Sequence, residues 1–243
     1  MSKAKQHRPP LLIALALVLA ALLAWAALTA ARNGLSDFYA RPAIDYLEQK
    51  RFDAYSVSDE EWRTIEQSIL KAHQLMPHNP RYLASLGWLN QLKLASLADN
   101  LTAEEKDVHA NAASYYFQQA VENRPTWSYY WGNLAIEQYR RGEYSSDEYS
   151  LALANASQFG PWKNDMQRLV LDFGGETWEL LSPGAQREII LNVERGLLRQ
   201  PQNTIMIVRA YGAWPKLCET GAKLLDITTP HFQTLCAQDG FTE

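Results

Sequence analysis

Few residues in this 243-residue chain are of types and spacings that could do chemistry. Two cysteines, Cys218 and Cys236, lie near the C-terminus. In an oxidising compartment such a pair reads as a disulfide. Closing a loop of that size stabilises a fold by about 3 kcal/mol in the chain-entropy model. In reduced form the two are simply small core residues. Zinc is not expected on them, because a structural site needs about four ligands and no histidine stands at ligand spacing. His73 and His78 are off the four-residue spacing that aligns two ligands on one helix face, and Pro77 breaks the helix between them. The acidic clusters Asp59-Glu60-Glu61 and Glu104-Glu105 have the residue types of a glycosidase carboxylate pair. Both fall in the first turn of a predicted helix, where acids are favoured by the helix dipole. Gly174-Gly175 lacks the spacing of a phosphate-binding loop and is read as a loop or helix cap. No serine stands in a Gly-x-Ser-x-Gly elbow. The residues therefore predict no catalytic site, no metal and no cofactor, and the chain is not read as an enzyme.

A candidate binding feature is the aromatic segment Trp127-Ser128-Tyr129-Tyr130-Trp131. On a helix, Trp127, Tyr130, Trp131 and Leu134 share a face, while Ser128 and Tyr129 point away. With Tyr115 and Tyr116 this face is a candidate partner groove of a repeat array, where aromatics are favoured interface anchors. Packing between helices is the competing role for the same rings.

The elements that must position these residues are helices. Ser58 to Glu61 and Thr102 to Glu105 have the form of capping boxes, and Asn79-Pro80 and Ser182-Pro183 place a capping residue before a first-turn proline. Apolar residues recur at helical spacing, as in Ile65, Ile69, Ala72 and Leu75. The run Ile205 to Val208 fits a continuing helix better than a strand. The helices also repeat. In tetratricopeptide units of 34 residues, the second helix carries small and apolar residues before a closing proline. Ala113, Phe117, Ala120 and Pro125 reproduce that pattern; Ile65, Ile69, Ala72 and Pro77 follow it, as do Ile189, Val193, Gly196 and Pro201. Leu86-Gly87, and Trp131, Leu134, Ala135 and Gly142, match first helices and their turn. About 14 extra residues near Ala95 to His109 lengthen a helix or form a protruding loop. The expected fold is all-α, with a degenerate tetratricopeptide-like array over residues 58–243.

Before that array, residues 11–31 form 21 consecutive residues without a charge. A helix of that length spans the roughly 30 Å hydrocarbon core of a bilayer. We read residues 1–10 as a cytoplasmic N-terminus, 11–31 as a transmembrane helix, and 32–57 as a linker and juxtamembrane helix. A cleavable signal peptide is the competing reading, with Thr29-Ala30-Ala31 as the cleavage site. Lys3, Lys5 and Arg8 precede the run, so the positive-inside rule places the residues beyond it outside the cytoplasm. The whole chain carries −4, which leaves about −7 on the exported part. That balance argues against nucleic acid as a partner and mildly against anionic lipid.

The single anchor, the degenerate repeat ending in Phe159-Gly160-Pro161-Trp162, and the segment Glu194-Arg195-Gly196-Leu197-Leu198 followed by Arg209-Ala210-Tyr211-Gly212 and Cys218 are together similar to the VpsP-like proteins of bacterial exopolysaccharide biosynthesis clusters. The resemblance covers about residues 120–236. It implies a role in making or exporting a surface polysaccharide and carries over no site residue. The expected function is an interaction scaffold, tethered to the bacterial inner membrane with its bulk in the periplasm, whose partners are other envelope proteins of a polysaccharide system. The alternatives are a glycan-binding or glycan-modifying protein of that system, or an assembly factor for another envelope complex.

Overall fold

The computed structural model describes residues 10–50, 57–97, 99–210, 215–219 and 229–238. All regular elements among them are helices. They are α1 (Pro10–Lys50), α2 (Asp59–Leu75), α3 (Pro80–Ser96), α4 (Ala103–Asn123), α5 (Ser128–Arg140), α6 (Asp147–Phe159), α7 (Asn164–Glu176), a 3-10 turn (Trp178–Leu180), α8 (Pro183–Arg199), α9 (Pro201–Ala210) and α10 (Pro230–Gln238). The run at residues 205–208 lies inside α9.

Several helices start where a side chain satisfies the first free N–H groups. Ser58 Oγ accepts from Glu61 N–H, and the Glu61 carboxylate accepts from Ser58 N–H at 2.8 Å. Hydrogen bonds from the Ser58 hydroxyl, the Tyr46 hydroxyl and the Ser58 N–H hold the Glu61 carboxyl down to about 2. Thr102 and Glu105 make the same reciprocal pair at α4. Asn79 and Ser182 cap α3 and α8 ahead of their prolines. Gly142, with φ of 76°, takes the left-handed turn between α5 and α6 that other residues resist.

From α1 to α9 each helix packs against the next, and α10 packs on α8. The odd-numbered helices also meet in series: α1 with α3, α3 with α5, α5 with α7, α7 with α9. This arrangement is a two-layer tetratricopeptide-like array. The residues of the repeat pattern form its core: Ile65, Ile69, Ala72, Leu86, Ala113, Phe117, Ala120, Leu134, Ala135, Ile189 and Val193 are all buried. Two apolar clusters result, one joining α1, α2 and α3, the other running from α3 to α10, and Trp88 and Tyr116 pack against both. The extra residues near Ala95 to His109 mostly lengthen helices, since α3 continues to Ser96 and α4 begins at Ala103. Ala120 has no exposed surface. Ala120→Trp should therefore overpack the interface and lower stability by about 1–3 kcal/mol in urea unfolding. An unchanged midpoint would place this face outside the core.

One local expectation is corrected. Gly174 and Gly175 do not form a loop or cap; both lie within α7. Position 174 is glycine where a neighbouring side chain already takes the space: an added Cβ would stand 2.4 Å from Ile189 Cδ1 of α8. Ser128 lies off the face of Trp127 and Tyr130 and is nevertheless covered. It is fully buried under Gly160, whose missing Cβ leaves it room.

α1 is continuous for 41 residues, roughly 60 Å. Its N-terminal part has the length and hydropathy to cross a membrane, and that window is wholly unburied. From Ser36 onward one face enters the array: Ala40, Ala43, Ile44 and Leu47 are core residues. Tyr82 of α3 donates to Asp37 at 2.7 Å, with Ser36 Oγ 3.0 Å from the same hydroxyl. The juxtamembrane helix within 32–57 is thus the second half of α1. It belongs to the array's core through residue 47, and no linker separates it from the apolar span.

Candidate functional site

The five aromatics of the expected groove do not form one surface. Tyr115 and Tyr116 lie on α4, with ring centroids 5.4 Å apart and edge to face. Tyr115 is exposed, while Tyr116 turns inward to meet His73 of α2. Trp127 and Tyr130 belong to the start of α5, 6.4 Å apart. Tyr130 is buried. Trp131 folds back, its indole N–H donating to Pro125 O at 2.6 Å. The physical reason is that α4 is in the even-numbered layer and α5 in the odd.

The groove itself runs along the odd-numbered layer. Two adjoining hollows of about 310 and 710 Å³ share Glu48 of α1, Trp88 of α3 and Asn133 of α5. The larger continues onto α7, where Asp165, Arg168 and Asp172 line it. Trp127 borders the smaller. Its ring is not free: the Arg124 guanidinium and Lys163 Nζ each stand 4.1 Å from its centroid. Lys163 is also 4.3 Å from the Tyr129 ring. Desolvation, with Arg124 nearby, pushes the Lys163 ammonium below its usual range. Aromatic surface, an amide and charges of both signs line these two hollows.

The other candidate residues have structural work. Glu61 and Glu105 are committed to caps. His73 is held below its usual pKa by burial and by His78. Cys218 and Cys236 are joined, with S–S 2.06 Å. Glu194 of α8 reinforces that end by accepting from the N–H groups of His231 and Phe232 at the start of α10, at 3.3 and 2.7 Å. The sequence carries no local signal for Glu48, Trp88, Asn133 or Glu194, because each acts across helices distant in the chain.

A second hollow, about 790 Å³, lies at the opposite end of α3, α4 and α5, lined by Gln91, Asn111, Glu137, Arg140 and Arg141 among others. Glu137 is 1% exposed and accepts from Gln91 at 2.7 Å. Burial raises its carboxyl above the usual range, against the lowering by that bond. A carboxyl raised by folding gives stability that is lost as pH rises through its folded value. Glu137→Gln keeps an acceptor for Gln91 without the charge. Relative to wild type, the variant should gain urea midpoint between pH 5 and pH 8. An equal offset at both would mean that Glu137 ionises freely.

Compared with protein-family models and with curated proteins, the chain matches none.

Proposed function

We propose that this protein is a membrane-tethered scaffold of a cell-envelope assembly machine, with exopolysaccharide synthesis or export as the favoured system. The observation that carries the reading is an amphipathic groove on an array that shares one continuous helix with an apolar anchor. The resemblance to VpsP-like proteins supports the polysaccharide system, and the Lys/Arg bias supports a cytoplasmic N-terminus with the array in the periplasm. A scaffold needs a fixed place and an open face, and the continuous α1 supplies the first.

The test is a photo-crosslinking amino acid at Asn133 in the full chain, in cells making polysaccharide. Discrete adducts with another envelope protein are expected. Adducts to glycan alone would support the glycan-binding reading instead. The committed cation contacts on Trp127 weigh against that reading, because they occupy a ring that a sugar would need for stacking. A reporter active only outside the cytoplasm, fused after Glu243, should be active; activity from a cytoplasmic reporter only would reverse the orientation.

A further inference from the structure

The overall acidity of the chain hides one cationic cleft, and its position is specific. Arg32 of α1, Arg81 at the start of α3 and Arg124 at the end of α4 wall a cleft of about 590 Å³, with His78 in the α2–α3 turn, Thr29 of α1 and Tyr130 of α5 completing it. None of the residues lining it is a carboxylate. All three arginines are exposed. The three come from separate helices, so the fold gathers them. Arg124 is oriented by Trp127, whose ring centroid is 4.1 Å from its guanidinium. Arg32 donates to Leu75 O at 2.9 Å, which pins the end of α2 beside α1.

Thr29 and Arg32 bracket Ala31, the last residue of the uncharged run. With that run filling the hydrocarbon, the cleft opens in the headgroup layer, which adds about 5–8 Å on each side. Because α1 is unbroken there, the cleft is held at that level. Guanidiniums arranged around a space without a counter-carboxylate fit a group with several anionic oxygens, which they bind by charge-assisted hydrogen bonds. The group densest at that level of a membrane is phosphate.

We propose that the cleft walled by Arg32, Arg81 and Arg124 binds the phosphate of an anionic phospholipid headgroup where α1 leaves the bilayer. The inference rests on α1 crossing a bilayer, as the proposed function also requires. Bound lipid fixes the height and tilt of the array, and so presents the groove at a set distance from the membrane.

The test is native mass spectrometry of the full chain in neutral detergent, offered equal phosphatidylglycerol and phosphatidylcholine. The wild type should retain phosphatidylglycerol by about tenfold or more over phosphatidylcholine. Arg81→Gln with Arg124→Gln should abolish that preference. Arg81→Lys with Arg124→Lys should keep part of it and shows that the fold survives change at both positions. Equal retention of the two lipids by the wild type, or an unchanged preference in the glutamine pair, overturns the proposal. Displacement of the lipid by an equal concentration of inorganic phosphate also overturns it, and identifies a site for free phosphate. Alkaline extraction of membranes reads the span separately, so a failed anchor and a failed lipid site are told apart.

Discussion

Phe117→Ala should lower the stability of the array by about 3–5 kcal/mol, read as a fall in urea midpoint at constant m. Phe117 is completely buried at the seam between α3 and α4. Its ring lies on Gly87: a Cβ built there would stand 2.8 Å from Phe117 Cε1. The two helices close on each other at this point, so truncation leaves a cavity that neither backbone can readily fill. The pairing gives a sharper check. Gly87→Ala alone should overpack the ring and cost about 1–3 kcal/mol. In a Phe117→Leu background the same change should cost less, with a coupling of about 0.5–3 kcal/mol. Strict additivity would mean that the two residues do not share this space.

Cys218→Ser should destabilise the protein by about 2–4 kcal/mol, with the loss concentrated at the C-terminal end. Cys218 lies in the helical segment 215–219 and Cys236 in α10, and both are buried. α10 packs on α8 through Phe232 and Leu235, and Glu194 holds its first N–H groups. A helix of 9 residues is too short to persist without such contacts. Hydrogen exchange should show α10 opening while the α3–α4 seam keeps its protection. Unchanged protection of α10 would assign its attachment to the noncovalent contacts alone. Two titratable thiols in protein recovered from the envelope would remove the bond from the account and count against an oxidising compartment.

The sequence by itself determined whatever depends on neighbours in the chain. The capping residues Ser58, Asn79, Thr102 and Ser182 bond to groups two or three positions away, so the starts of α2, α3, α4 and α8 were legible. The repeat core was legible for the same reason: Ala113, Phe117 and Ala120 fall on one face at a fixed period, and a face that regular must be covered. The apolar span of α1 needed only its length and its lack of charge. The Gly174-Gly175 pair locally signals a helix end, whereas Ile189 of another helix fills the space above Gly174 and α7 runs through both. That Ser128 lies off the aromatic face followed from helical spacing, but its cover, Gly160 after α6, comes from another helix. The tertiary structure alone decided that Tyr115 and Trp127 belong to different layers, that Glu48, Trp88 and Asn133 share a groove, and that Arg32, Arg81 and Arg124 converge beside the span. Each of those groups draws its residues from separate helices, and no period within a single helix records which residues of its neighbours will face it.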